Sequence, residues 1–398
     1  MTDRPKLTIY AAPELGAYGY SEKPWYQPGE RRQTFLGAVA DRAPELSHAE
    51  APPADDAALS LFHTPDHIAW VTARCATDQG SLDEAPPQVN ARSRQLLAAI
   101  ADADGSPVTA EQLTQVLGEL DATLAAFAPF LQSEELVTYD GAADAVEITE
   151  AGRAFLADPD ASLGGPTYAR AGVEQAARYV CGAVLDAVAR IAAGELRKVF
   201  VPIAGFHHAH RDRARMYCLY NDPGLAIEAA LSAFDGPVAY IDVDIHHGDG
   251  VYEAFAAHPR VVIADIHEGH PSEVAAGGVE RTGFVGLGEG IGNKRALAVG
   301  HGTTDAAYLD AWDDLEDFVR AAKPCFIVFE AGVDGLATDP MSHQALTPAV
   351  FEHVARRVAA IADTHADGRL LALGGGGYEA TGLAAGWAAV VRGLLDPD

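Results

Sequence analysis

The sequence predicts an α/β fold, a mostly parallel sheet flanked by helices, with a small α+β module inserted into it. Three observations predict it. From Lys198 onward, short apolar runs rich in valine and isoleucine alternate with longer stretches that carry a helical apolar stripe, as in parallel strands joined by covering helices. Glycine, histidine and carboxylate clusters follow directly behind four of these runs, where the sites of such sheets lie. Between residues 88 and 161 the pattern changes to helices followed by a hairpin.

Taken in order, Leu7-Thr8-Ile9-Tyr10 reads as a short strand, Glu30 to Val39 as a helix, Ser47 to Asp56 as a loop, and Pro65 to Ala73 as a second helix. Turn residues from Gly80 to Pro87 close this segment. In the module, Gln95 to Ile100 is helical, Thr109 caps a second helix, and Leu120 to Leu131 is a third. Leu136 to Asp140 and Ala145 to Thr149 then pair around Gly141. Tyr168 to Ala193 is one long helix. Strands follow at 198–203, 238–241, 261–267, 325–329 and 370–373, with helices at 225–234, 251–257, 305–322, 347–364 and 383–395. Residues 1–87 thus form the first part of the main domain, 88–161 the insert, and 162–398 the main part.

The formal net charge of −29 argues against nucleic acid and anionic membrane as direct partners and favours cationic substrates such as amines and lysine-rich peptides. The insert resembles a winged-helix module, yet it carries only Arg92, Arg94 and Arg153 against about a dozen acids, so a structural or protein-contact role is expected rather than DNA reading. Cys75, Cys181, Cys218 and Cys325 show no paired spacing, and the opening residues contain no apolar run for a signal peptide or span. A cytoplasmic location is expected, and the excess of arginine over lysine and the many alanines suggest a GC-rich bacterial genome.

The densest chemistry is Asp242-Val243-Asp244-Ile245-His246-His247-Gly248-Asp249, behind the run Val238–Ile241. Continued as a strand, it turns Asp242, Asp244 and His246 to one face and packs Val243 and Ile245 into the core. So many ionisable groups are costly to bury for helix capping alone. Three further clusters follow other runs: Gly205-Phe206-His207-His208, Glu330-Ala331-Gly332-Val333-Asp334, and Gly374-Gly375-Gly376-Gly377-Tyr378. Asp244, His246 and Asp334 offer one nitrogen and two carboxylates to a zinc-like ion with room for water and a substrate carbonyl. His208 is then a general base oriented by Asp249, Asp242 orients His207, and Tyr378 donates to the oxyanion. The reaction class is metal-assisted amide hydrolysis.

These motifs resemble, in order and spacing, those of the histone deacetylase family, which includes bacterial acetylpolyamine amidohydrolases and acetoin-utilisation-type deacetylases on the arginase/deacetylase fold. The resemblance is weak over residues 7 to 86 and strong over 164 to 398. It implies zinc, with iron(II) as the alternative, at Asp244, His246 and Asp334, and a tandem-histidine dyad with Asp242 and Asp249. It also implies a structural potassium ion near the strand that carries Asp242. Phe206, Met216, Tyr217, His267 and Gly376 then line the substrate channel, and the substrate is an acylated lysine peptide or small acylated amine. Two departures stand out. Met216-Tyr217 replaces the family's Gly-Phe before Cys218, and Asp265 replaces a serine that helps hold potassium. In polyamine-type relatives an insertion restricts access to the site and helps form a dimer, so the resemblance implies that the insert borders the site and that a homodimer forms. A binuclear-manganese ureohydrolase and a non-catalytic binder of acylated ligands are the alternative readings.

Overall fold

The computed structural model describes residues 6–17, 28–76, 80–81, 87–102, 107–109, 136–140, 145–157, 168–169, 171–271 and 274–396. In chain order its strands are β1 (Leu7–Tyr10), β2 (Leu46–Ala49), β3 (Gly80–Ser81), β4 (Val108–Thr109), β5 (Val137–Asp140), β6 (Ala145–Ile148) and β7 (Tyr168–Ala169). They continue with β8 (Lys198–Val201), β9 (Val238–Asp242), β10 (Val261–Glu268), β11 (Val279–Arg281), β12 (Lys294–Val299), β13 (Phe326–Glu330) and β14 (Leu370–Leu373). Among the described residues nine of them form one sheet in the order β11-β12-β10-β9-β13-β14-β8-β1-β2. Every pairing is parallel except β11 with β12. All five residues of β9 and of β13 are buried, so both faces of the sheet centre are covered. Four adjacent strands, β9, β13, β14 and β8, therefore deliver the four motif clusters to one edge of the sheet.

Two groups of helices pack among themselves around this sheet. One comprises Pro28–Ala38, Asp305–Ala322, Pro348–His365 and Ala380–Leu395, and the other Pro65–Ala76, Val173–Ala192 and Asp222–Ala233. Local sequence sets their ends. Thr347 accepts from the Ala349 amide ahead of Pro348, and Asn221 accepts from the Gly224 amide ahead of Pro223. The ring of Phe35 meets those of Phe200 and Trp387 edge to face, at 5.4 and 5.8 Å between centroids. Such contacts add ~0.5–1.5 kcal/mol each beyond burial. They fix the N-terminal helix, whose Arg31 stacks 4.9 Å over Trp387. No helix among the described residues is long and apolar enough to cross a membrane.

The observed elements differ from the sequence reading in several places, and strands β11 and β12 fall in a stretch to which the sequence reading assigned no element. Leu46–Ala49, largely in the stretch read as a loop, is an edge strand that among the described residues pairs with β1 alone and stays partly exposed. The long helix begins at Val173 rather than Tyr168, because Gly172 at its N-cap is left-handed (φ 90°). Tyr168 and Ala169 instead pair with Ser81 and Gly80 across the root of the insert. Strand β9 stops at Asp242, so Asp244 and His246 are positioned by a hydrogen-bonded turn and not by strand alternation. Val243 and Ile245 are nevertheless buried as expected.

Within the insert, β4, β6 and β5 form a small antiparallel sheet against helices Pro87–Ala101 and Glu150–Ala157. Leu96, Leu97, Ile100, Val146 and Phe155 are buried there, apart from the main core. Thr109 ends a two-residue strand. The helix expected after it and the one at 120–131 lie outside the described residues.

Candidate active site

The loop after β8 carries Gly205, Phe206, His207 and His208, and two residues at the start of helix Asp222–Ala233 hold it. The Asp222 carboxylate accepts from the Gly205 and Phe206 amides, both at 2.9 Å. The Asn221 side-chain amide donates to the carbonyls of His207 (2.9 Å) and Ala209 (2.7 Å). Gly205 is left-handed (φ 109°), and a Cβ there would come within 2.1 Å of Glu330. After β9 the chain turns on its own carboxylates. The Asp244 amide donates to Asp242 Oδ1, the Val243 amide to the Glu330 carbonyl, and the Ile245 amide to Asp334 Oδ1.

The two histidines sit in unequal surroundings. His207 Nδ1 is 2.9 Å from Asp242 Oδ2, which also accepts from the Tyr240 hydroxyl at 2.6 Å. Burial opposes the imidazolium of His207, but the Asp242 carboxylate outweighs it and raises the pKa well above the usual value. His208 Nδ1 is 2.6 Å from Asp249 Oδ1, and Arg215 Nε lies 2.8 Å from the other oxygen of that carboxylate. Burial, helped by the charge on His207, pushes His208 down to about 3 against the pull of Asp249. Asp249 itself is held well below the carboxylate range, burial notwithstanding, by Arg215 and His208. The Nε2 atoms of the two rings lie 3.2 Å apart. The partners set the protons: a cationic His207 donates through both nitrogens, and a neutral His208 donates at Nδ1 and keeps its Nε2 lone pair.

Asp244, His246 and Asp334 come together as the sequence reading expected, with one ligand atom from each mutually within 4.8 Å. His246 Nδ1 is 3.0 Å from Asp244 Oδ1 and 3.0 Å from Asp334 Oδ2. Asp334 Oδ2 is buried without a hydrogen-bond donor, because its approach to His246 does not have hydrogen-bond geometry. Burial and the neighbouring Asp244 charge raise Asp334 to about 7, whereas His246 holds Asp244 low despite burial. A Cβ on Gly376 would lie 2.0 Å from Asp334 Oδ2, so only glycine lets the backbone approach. Two buried carboxylates, one of them with an orphaned oxygen, and a crowded imidazole are a donor set that fits a divalent cation.

A cleft lies over these groups. Its lining includes Phe206, His207, His208, Met216, Tyr217, Asp244, His246, Gly376 and Tyr378. The His246 and Tyr378 rings are 6.4 Å apart, edge to face. Met216 and Tyr217 are both left-handed (φ 44° and 68°), at the tip of a two-residue turn closed by Arg215 and Cys218. Non-glycine residues in that region cost ~1–3 kcal/mol each, so this wall of the cleft is strained. His267 is not in the lining. It is buried, bonded through Nδ1 to Asp265, with its ring 4.7 Å from that of His247. Asp265 also accepts from His247 Nδ1 and the Gly248 amide, both at 3.1 Å.

Arg31, Asn221, Asp222, Tyr240 and Arg215 all shape the site, and none was singled out from the sequence. Arg31 is buried, lines the cleft and donates to the Gly375 carbonyl at 2.6 Å. Only Asn221 carried a usable signal, as Asn-Asp-Pro is an N-cap pattern directly after a motif region. Glu330 is fully buried at the back of the site, and burial raises its pKa well above the carboxylate range.

The histone deacetylase domain family matches residues 29–394. The acetoin utilization protein AcuC of Bacillus subtilis (strain 168) is 32% identical over 259 residues, covering 63% of this chain and 66% of that protein. Histone deacetylase 8 of Arabidopsis thaliana is 31% identical over 235 residues, covering 58% and 62%. The matched region thus spans a little under two thirds of these relatives. A crystal structure of the HDA15 HD domain superposes with a TM-score of 0.65 at 20% identity, over 98% of this chain and 89% of that one. Its likeness concerns the fold, and the family match extends over the strands that carry all four motif clusters. The chain belongs to the histone deacetylase family.

Proposed function

We propose that the chain is a metal-dependent deacylase that hydrolyses the amide of an acylated lysine or a small acylated amine. The observation that carries this reading is the convergence of two unequally tuned His–Asp pairs, the Asp244–His246–Asp334 donor set and Tyr378 on one cleft. Bound by those three residues, a zinc-class ion would supply Lewis-acid polarisation of the substrate carbonyl and a water of lowered pKa. Zinc is the proposed resident, with iron(II) as the alternative.

The chain's own residues do the rest. His208, neutral with an unprotonated Nε2, takes the proton from the attacking water in exchange for its contact with His207 Nε2. Its Asp249 partner holds the ring with Nδ1 protonated. His207 stays cationic on Asp242 and stabilises the negative charge that develops as water adds. Tyr378 donates its phenol to the former carbonyl oxygen. The proton on His208 Nε2 then passes to the leaving amine, which completes acid–base transfer through one atom. Arg31 holds the Gly375 carbonyl and so fixes the glycine segment that leads to Tyr378.

The Met216–Tyr217 wall and the acidity of the chain favour a slender cationic substrate over a bulky protein surface. The insert at 88–161 is proposed as a rim element beside the cleft that screens substrates by size and contributes to a homodimer. A structural potassium ion beside the strand that carries Asp242 is part of the proposal, and the neighbouring Asp265 carboxylate accepts from His247, the Gly248 amide and His267. A cytoplasmic enzyme that contacts neither nucleic acid nor membrane is the proposed setting. The test compares acetate release from an acetyl-lysine peptide and an acetylated diamine with urea release from arginine. Acetate release with no urea supports the deacylase. Urea release would favour a ureohydrolase, and release of neither would favour a pure binder.

A further inference from the structure

We propose that Glu268, His301 and His343 form a second divalent-metal site, separate from Asp244–His246–Asp334 and suited to a zinc-class ion. The three residues come from different segments at the carboxyl edge of the sheet. Glu268 ends β10, His301 follows β12, and His343 lies in the loop between β13 and helix Pro348–His365. One ligand atom from each lies within 4.8 Å of the others. His343 Nδ1 is 2.8 Å and His301 Nε2 3.3 Å from the same oxygen, Glu268 Oε1. Donors on a tetrahedral ion with ~2.0–2.1 Å bonds sit ~3.3 Å apart, so these spacings are close to those of a metal's coordination edges. Two imidazoles and one carboxylate suit zinc, cobalt or nickel rather than calcium or magnesium.

The surroundings are built to hold these atoms. Glu268 Oε2 accepts from the His343 amide at 2.8 Å and from Gln344 Nε2 at 2.7 Å, which turns Oε1 toward the two rings. The Gly302 amide donates to the His343 carbonyl (2.8 Å) and the Gly277 amide to the His301 carbonyl (2.9 Å), so both histidine backbones are pinned. The two rings are stacked, 4.1 Å between centroids and 10° apart in plane, so an ion held by both requires the exposed His343 ring to turn out of the stack until its Nδ1 lone pair meets that of His301 Nε2. A carboxylate oriented by an outer amide is the support that metal sites use. The His343 side chain is 65% exposed and that of His301 35%, which leaves a path for the ion and a position for water.

This site also connects to the first one. The Glu268 amide donates to the Ile245 carbonyl at 2.8 Å, and the Ile245 amide donates to Asp334 Oδ1 at 2.9 Å. An ion here ties the 336–346 segment to β10, and Asp339 of that segment accepts from the Tyr378 amide. Its role is to stiffen the loop beside Tyr378 without touching substrate.

The test is a metal count on the full chain, stripped with a chelator and dialysed against zinc or cobalt. Wild type is expected to take up two ions, and the His301→Ala/His343→Ala double variant one, with its turnover retained. Asp334→Ala is expected to retain one ion, and the triple variant none. Gln344→Ala, which leaves all ligands in place, should weaken the second ion ~10–100-fold. The second equivalent should raise the melting temperature of wild type and not that of the double variant. A metal count that the double substitution leaves unchanged, or an Asp334→Ala protein that binds no ion, would overturn the proposal. None of these counts depends on the chain being a deacylase.

Discussion

Asn221→Ala is the substitution through which the site's architecture can be weighed. Asn221 is fully buried, and its side chain makes three contacts: the oxygen caps the Gly224 amide, and the nitrogen donates to the His207 and Ala209 carbonyls. Loss of an N-cap costs ~0.5–2 kcal/mol. Each buried carbonyl stripped of its donor costs ~1–3 kcal/mol. Together the loss is roughly 5 kcal/mol, a large part of the ~5–15 kcal/mol that keeps a domain folded. Asn221→Ser keeps a capping oxygen and loses the amide donors, so it should recover ~1 kcal/mol of that. Urea unfolding, read as midpoint shifts at constant slope, gives the numbers, and turnover measured in parallel should fall because the loop carrying His207 and His208 loosens. An Asn221→Ala protein within 1 kcal/mol of wild type would refute the argument that this side chain holds the loop.

Three further outcomes are expected. Tyr378→Phe should keep its metal and lose ~10²–10³ in kcat, as for removal of one oxyanion donor, and unchanged turnover would remove Tyr378 from the mechanism. His208→Ala should lose ~10²–10⁴ in rate at full metal content, whereas Asp334→Ala should lose one ion along with activity; full occupancy in Asp334→Ala would mean that the ligands are wrong. Stability should fall on acidification below neutral pH because His63 and His67 are held neutral. His63 Nε2 accepts the Asn221 amide, His67 lies 2.9 Å from the Leu219 carbonyl, and burial pushes His67 down to about 4 and His63 well below its usual value. The unfolded chain takes up protons near pH 6.5 and the folded one does not until about 4. Stability from His67 is therefore fully present above pH 6.5 and lost as pH falls through that window, by roughly 3 kcal/mol. Unfolding free energies at pH 7 and 4.5 should differ less in His67→Gln, and an equal difference would contradict the assignment.

Much of this architecture was legible because it is local. A strand followed at once by His-His, Asp-x-Asp-x-His-His or Gly-Gly-Gly-Gly-Tyr is readable in ten residues, and parallel topology then brings four such ends to one edge. What escaped depends on distant contacts. Arg31 is one arginine on an amphipathic helix, and only the packing of Phe35 on Trp387 turns it into the cleft. Strand β2 has the sequence Leu-Ser-His-Ala at an exposed edge, with no apolar alternation to mark it. The helix start was misread because the apolar stripe continues through Gly172, whose left-handed backbone has no periodic signature. His267 sits near the carboxyl end of β10, where a channel residue would be expected, yet its Nδ1 contact with Asp265 keeps it in a separate buried cluster.

The central claim is that Asp244, His246 and Asp334 hold a divalent ion that this chain's histidines and tyrosine use to hydrolyse an amide. Acetate release from an acetylated amine, followed through chelator stripping and the return of zinc, tests it most directly. The stripped chain is expected to be silent, zinc to restore release, and Asp334→Ala to stay silent at the same zinc concentration. Sustained release by the stripped chain, or by Asp334→Ala, would contradict it.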